Sequence, residues 1–450
     1  MKKFLSLILI FSILTMIILP GCGMKDSTQN AEQEGSNGNK GPTELTLWTF
    51  VGLHGNLYED AVNRWNKTHP DRPIKLKVTT YPYQEMHDKL AMALQTGVGA
   101  PDIADVEIGR FPQYLEGTPQ LADLTDLVES DRDKFIQSRL EIYSKEGKLY
   151  GMPTHGGAVM AFYNKEILDE AGVDPSKIVT WDDFVEAGKL VKAKTGKPMV
   201  AIGRTAFWDF STMIGQQGSD VFNENDTVIL DNDRNVRALQ FLHDMIYKYQ
   251  IAVIPPGGQP DTEEAYGWIN EGNVASVIMP FWFMGRFVSY MPDLKGKILV
   301  APVPVWKDGN IYPTVGLGGT GTVVPLQGKH VDLAKEFLYF AKGTPEANIE
   351  IWNVLGFDPP RWDVWEQLAN DPGDNEYTQY FVNGKDIFKI LLSSTEGNVF
   401  SLRSNKWVPT ANSLLATQVL YEVLETNEAT PEQALKKAAD ELRREIETGE

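Results

Sequence analysis

Leu45-Thr46-Leu47-Trp48-Thr49-Phe50, followed by Leu57, Ala61 and Trp65 at four-residue spacing, sets the fold class of this chain. The first six residues have strand composition, and the next three share one helical face that ends before Pro70. Ile74, Leu76 and Val78 alternate with Lys75, Lys77 and Thr79 as a second strand. Met86, Leu90, Ala93 and Leu94 mark a second helix that stops at Gly97, and Ile103 to Val106 form a third strand after Pro101. Strand, helix, strand, helix, strand predicts a parallel α/β sheet, which binds ligands beyond the carboxyl ends of its strands. Val51 to Asn56 and Glu107 to Phe111 are therefore where ligand contacts are expected, with Glu107 and Arg110 the polar candidates.

Upstream of this unit, Met1-Lys2-Lys3 precedes an uncharged apolar run from Phe4 to Leu19, then Pro20, Gly21 and Cys22, the only cysteine in 450 residues. A basic start, a short apolar stretch and a small residue before the cleavage point read as an export signal over residues 1–21. It resembles a bacterial lipoprotein signal, which implies lipid attachment at Cys22 and a protein held on the extracellular face of the cell membrane. Residues 22–43 lack aromatic and large branched aliphatic side chains and read as a flexible tether, long enough to set the body roughly 25 Å from its anchor. The other long apolar stretch, Val274 to Met291, is interrupted by Pro280, Gly285 and Arg286 and is not expected to span a membrane.

Hydrophobic residues make up 42% of the chain and aromatics 10%, enough for two cored domains after the tether. Acidic residues outnumber basic ones by 61 to 42, so the surface repels nucleic acid. The six histidines show no metal-ligand spacing, and no metal or cofactor is expected. Asp231 to Asn235 resembles half a calcium loop, but Val236 and Leu242 occupy the glycine and glutamate positions, so the segment reads as a helix cap. Gly316 to Gly321 matches the dinucleotide glycine pattern, yet it leads into Thr322-Val323-Val324-Pro325, a strand rather than a helix. Thr180 reads as the cap of a helix with Asp182 and Asp183 in its first turn and Ala187, Leu190 and Val191 on its buried face.

Leu149-Tyr150-Gly151-Met152-Pro153, Phe162-Tyr163-Asn164-Lys165-Glu166, Val179-Thr180-Trp181-Asp182-Asp183-Phe184, Asn270-Glu271-Gly272-Asn273-Val274-Ala275 and Ala334-Lys335-Glu336-Phe337-Leu338 follow one another in an order that resembles the family 1 extracellular solute-binding proteins. These are the sugar-capturing lipoproteins of ABC importers. Leu47-Trp48-Thr49-Phe50, Gly99-Ala100-Pro101-Asp102-Ile103, Gly109-Arg110-Phe111-Pro112 and Leu121-Ala122-Asp123-Leu124-Thr125-Asp126 further resemble the arabino-oligosaccharide-binding lipoproteins of Gram-positive bacteria. The resemblance implies a periplasmic-binding-protein-like α/β fold of two discontinuous lobes around a ligand cleft, here 44–153 with 301–344 and 154–300 with 345–450. Hinge crossings are then expected near Pro153 and Pro302. It also implies a carbohydrate ligand, ABC importer permease subunits as membrane partners and a monomeric receptor.

A sugar presents a C–H face and a rim of hydroxyls, so its site calls for flat aromatics and polar hydrogen-bonding groups. Trp208 and Asp209, Phe281 and Trp282, and Trp407 lie in segments without clear amphipathic period, where the family places stacking aromatics. His54 follows the first strand and His155 the crossing at Pro153, and both join Glu107 and Arg110 as candidate contacts. A structural aromatic or a locally hydrogen-bonded histidine is the other reading of each. The rival function is a surface-anchored glycoside hydrolase, which needs two carboxylates flanking the scissile bond. No Gly-x-Ser-x-Gly elbow or His-Glu-x-x-His pair is present, and no catalytic residue is assigned.

Overall fold

The structure, a computed structural model, describes residues 41–309, 311–395 and 399–449. The signal segment, Cys22 and nearly all of the tether lie outside the described residues. The opening unit folds as its periodicity requires: β1 (Thr43–Thr49), α1 (Gly52–Thr68), β2 (Ile74–Thr80), α2 (Tyr83–Thr96) and β3 (Ile103–Glu107). Both β2 and β3 pair with β1 in parallel. Leu45 and Leu47 from β1 meet Ala61 and Trp65 from α1 in one core. Gly97 closes α2 in the left-handed conformation at φ 73°, which glycine adopts without strain.

A small hairpin, β4 (Ser144–Lys145) and β5 (Lys148–Leu149), precedes β6 (Met152–Pro153). The chain then leaves this sheet and builds a second one from β7 (Val159–Asn164), β8 (Val200–Ala201), β9 (Ala252–Val253), β10 (Ser276–Pro280) and β11 (Ile298–Pro302), in the order β11-β7-β10-β8-β9. The helix Trp181–Thr195 packs on it, opened by a capping box in which Thr180 and Asp183 satisfy each other's backbone N–H. Leu190 departs from expectation: it is 48% exposed. Gly188 takes the inward position instead, because Ile251 comes so close that a Cβ there would sit 2.9 Å from its side chain. The half calcium loop is indeed a cap, Asn232 accepting from the Asn235 N–H at the start of the helix Asp233–Tyr247.

The return to the first sheet differs from the sequence reading. Pro302 ends β11 and does not cross. Val303, Trp306, Val315 and Leu317 are buried with Val159 and Ala161 in the second sheet's core, so residues 303–309 and 311–317 stay with that body. Their apolar side chains complete a core that β11 leaves open, which outweighs any tendency of the proline to turn the chain away. Within this stretch β12 (Thr314–Gly316) pairs with β14 (Val399–Ser401). The passage occurs at the glycine run, and β13 (Thr320–Val323) then enters the first sheet antiparallel to β3 and β6, giving the order β2-β1-β3-β13-β6. A strand follows the glycines, as expected. Gly318 needs φ 67°, and a Cβ there would lie 2.8 Å from the Trp282 indole nitrogen.

The helix Val331–Lys342 returns to the first core, where Phe337 meets Trp65 edge-on. From Pro345 onward the chain packs against the second body: Ile351, Trp352 and Leu355 join Phe162 and Phe283 in a further core, and Leu435, Ala438 and Leu442 of the helix Pro431–Thr448 join the core of Val159. Among the described residues no helix is long and apolar enough to cross a membrane. The result is two α/β bodies joined by three chain passages.

Candidate functional site

A cavity of about 700 Å³ opens where the two bodies face each other. Its first wall comes from the carboxyl end of the first sheet: Phe50 and Val51 after β1, His54 on α1, Tyr83 on α2, Glu107 as the last residue of β3, and Gly109 and Arg110 after it. Its second wall comes from Thr205 to Trp208, Gln259, Asp261, Trp282 and Arg286. His155, Gly318 to Thr320 and Phe357 lie at the passages between them. A cavity bordered by strand ends on one side and by the connecting segments below follows from the parallel topology.

On the first wall, one oxygen of the Glu107 carboxylate accepts from the Gly109 N–H at 2.8 Å and from the Tyr83 hydroxyl at 3.0 Å. Burial raises its pKa above the ordinary carboxylate value. Arg110 does not pair with that carboxylate: its guanidinium lies over the Tyr83 ring at 5.8 Å and donates to the Gln84 side-chain oxygen. His54 holds the Asp105 carboxylate through Nδ1 at 3.1 Å. Burial lowers the His54 pKa and lowers that of His155 further, so both imidazoles are neutral. The two rings flank Phe357, edge-on at 5.9 and 5.0 Å, and His155 Nδ1 is buried without a protein partner.

The second wall is aromatic. Trp208 opens the helix Trp208–Gln216, and its indole N–H donates to the Gln259 side chain at 3.2 Å. Trp282 follows β10 in the short turn Phe281–Phe283 and meets Trp208 edge-on at 5.5 Å. The Trp282 N–H donates to the Leu317 carbonyl at 3.2 Å, which ties this ring to the glycine passage. The Arg286 guanidinium lies 5.5 Å from the Trp282 ring centre and is held by Asp261 at 2.9 Å. Flat rings bordered by fixed charged and amide groups suit a ligand with an apolar face and a hydroxylated edge.

His54, Glu107, Arg110, His155, Trp208 and Trp282 thus come together around one cavity. Asp209, Phe281 and Trp407 do not line it. Asp209 points away and accepts from the Gly203 N–H at 2.9 Å, pinning the loop that carries Thr205 to Phe207. Phe281 is fully buried between Trp352 and Phe388. Trp407 precedes the helix Val408–Leu414 and packs against the second core. Sequence reasoning passed over Phe50, Tyr83, Gln259, Asp261, Arg286, Phe357 and Asn412. Arg286 had a signal, as the one charge within the apolar run Val274 to Met291. The others depend on contacts between distant segments. Among the described residues no three His, Cys, Asp or Glu side chains gather as metal ligands.

Comparisons with known proteins agree with this geometry. Residues 53–348 match the family model described as bacterial extracellular solute-binding protein. An arabinooligosaccharide-binding protein of Bacillus subtilis is 48% identical, covering 98% of this chain and all of that protein. One of Halalkalibacterium halodurans is 49% identical over 90% of this chain and 89% of its own length. Among solved structures, maltose-bound MalE3 of T. maritima superposes with a TM-score of 0.72 at 21% identity, covering 89% of this chain and 99% of that one. The GacH receptor of Streptomyces glaucescens, solved unliganded and with acarbose, gives 0.72 at 20% identity over 90% and 98%. With its two sheets, its cavity between them and relatives matched along nearly their whole length, the chain belongs to the bacterial extracellular solute-binding proteins.

Proposed function

We propose that this protein is the extracellular receptor of an ABC importer that captures an arabinose-containing oligosaccharide. The observation that carries the reading is the cavity itself, with indole rings on one wall and neutral imidazoles, a carboxylate and guanidinium groups around them. A volume of about 700 Å³ suits an oligosaccharide better than a single small sugar, since pockets of roughly 300–1,000 Å³ hold drug-sized ligands. The names of the two relatives at nearly half identity supply the sugar.

The lobes of this reading are the described residues of 43–153 with 320–344, and those of 159–317 with 345–449, following the packing of the two sheets and their cores. Closure about the passages holds the sugar for delivery to permease subunits in the membrane. The protein acts as a monomer, anchored through a lipid on Cys22 to the outer face of the cell membrane. Hydrolysis is disfavoured by the carboxylates present. Only Glu107 and Asp261 line the cavity among the described residues, and Asp261 is engaged by Arg286. Calorimetric titration with arabinotriose and maltotriose, followed by chromatography of the sugars, tests the reading. Stoichiometric binding of arabinotriose without cleavage is expected. Release of shorter sugars would make the protein an enzyme, and preferential binding of maltotriose would overturn the ligand.

A further inference from the structure

Just behind the cavity wall, one buried carboxylate gathers four hydrogen bonds and a cation. Asp105, on β3, accepts from the Tyr58 hydroxyl at 2.6 Å and the Thr322 hydroxyl at 2.7 Å through Oδ1. Through Oδ2 it meets the Thr49 hydroxyl at 2.9 Å and His54 Nδ1 at 3.1 Å. The Lys342 ammonium stands 3.6 Å from Oδ1 and donates to the hydroxyls of Thr154 and Thr322 at 2.7 and 2.6 Å. Burial by itself raises the carboxyl's pKa, but the Lys342 charge and the hydrogen bonds from His54 and Tyr58 outweigh it and hold the group well below the usual range. An ionised carboxylate can only accept. His54 must then carry its proton on Nδ1, and since the ring is neutral, Nε2, on the ring edge away from Nδ1, is left as a bare acceptor on a side chain that lines the cavity. No described residue donates to it. His155, by contrast, has no carboxylate to fix its tautomer.

We infer that Asp105 is a positioning residue for ligand selection: it locks His54 in the Nδ1-protonated tautomer, so that Nε2 accepts a hydrogen bond from one free hydroxyl of the bound sugar. The inference rests on the sugar-receptor reading and sharpens it. At that position a deoxy or O-methylated ring leaves the lone pair of Nε2 enclosed and unpaired, a penalty of roughly tenfold in affinity. A staple that merely holds β3, β13 and the helix Val331–Lys342 together would leave the imidazole tautomer indifferent to the sugar.

The test is the imidazole nitrogen NMR spectrum of the wild-type protein, assigned by loss of signals in His54→Gln, recorded free and saturated with arabinotriose. The expected result is the Nδ1–H tautomer in both states, with the Nε2 resonance moving on saturation. An Nε2–H tautomer in the free protein overturns the lock without reference to any sugar. An unmoved Nε2 resonance, in a protein shown by calorimetry to be saturated, overturns the hydroxyl contact while leaving the receptor reading intact. As a second arm, one mono-deoxy arabinotriose in a full set is expected to bind wild type roughly tenfold more weakly than the parent, and His54→Gln to lose that difference. Equal discrimination by both proteins overturns the assignment. Asp105→Asn strips Lys342 of its counter-ion, so the paired variant Asp105→Asn with Lys342→Met is the form to use, and the Nδ1–H preference is expected to disappear in it.

Discussion

Trp208 and Trp282 meet edge-on at the same cavity, yet they are anchored at different depths. Trp282 is 7% exposed and belongs to a core with Phe283 and Phe287, whereas Trp208 is half-buried and bonds only Gln259 through its indole. In the sequence alone both read as candidate stacking rings, and the burial of Trp282 gives that ring a structural role as well. Trp282→Ala is expected to cost about 3–5 kcal/mol of stability as well as affinity. Trp208→Ala is expected to cost about 1–3 kcal/mol of sugar binding with a small change in melting temperature, by analogy with aromatic stacking on planar rings. Trp407→Ala should leave binding unchanged, and titration of the three variants separates them. Asp209 supplies a pH signature. Burial pushes its carboxyl from 3.8 up to about 7. Between those values the unfolded chain has lost the proton that the folded chain keeps, so native stability falls as pH rises, by about 1.4 kcal/mol per unit. Asp209→Asn removes this dependence, and its melting temperature relative to wild type is expected to climb between about pH 4 and about pH 7 and to level off above. Parallel melting curves would mean that Asp209 is ionised in the native state.

Among the elements, those built from local pattern were legible and those completed by distant chain were not. β1 to β3 and α1 to α2 announce themselves because Leu45, Leu57, Trp65 and Leu90 recur at the period of their own element. Leu190 misleads, because the helix Trp181–Thr195 turns Gly188 toward Ile251, a neighbour some sixty positions away that its own periodicity does not show. Residues 303–317 mislead in the same way, since only the assembled core shows where Trp306 and Val315 are needed. Half of the site was readable because His54, Glu107 and Arg110 sit at strand ends that topology designates. Gln259, Asp261 and Phe357 were not, for nothing local marks them. The glycine run joining β12 to β13 is where an element-scale change should reach the ligand. Gly318→Ala forces a side chain into a left-handed backbone and against the Trp282 indole. A loss of at least about 1 kcal/mol in stability is expected, together with weaker sugar binding, read by melting and titration. Unchanged affinity would show that the Trp282 ring does not depend on this passage.

For the whole molecule, two bodies joined by three passages predict hinge closure. Saturating sugar is expected to reduce the radius of gyration in solution scattering and to protect backbone amides around Val51 and Phe207 from exchange. Identical scattering with and without bound ligand would argue for a preformed, rigid cleft. The interleaving of the chain also bears on the order in which the protein can be assembled. Asp105 and Thr322 are hydrogen-bonded across 217 positions, and Lys342 lies further still toward the carboxyl end. A chain that emerges amino end first therefore presents β3 with an unfilled edge and a carboxylate lacking its cation until most of its length is available. The first lobe cannot mature on its own, however complete β1 to β3 look. For a receptor that works outside the cell, the consequence is one of timing: the part that leaves the ribosome first is the part that waits longest for its partners.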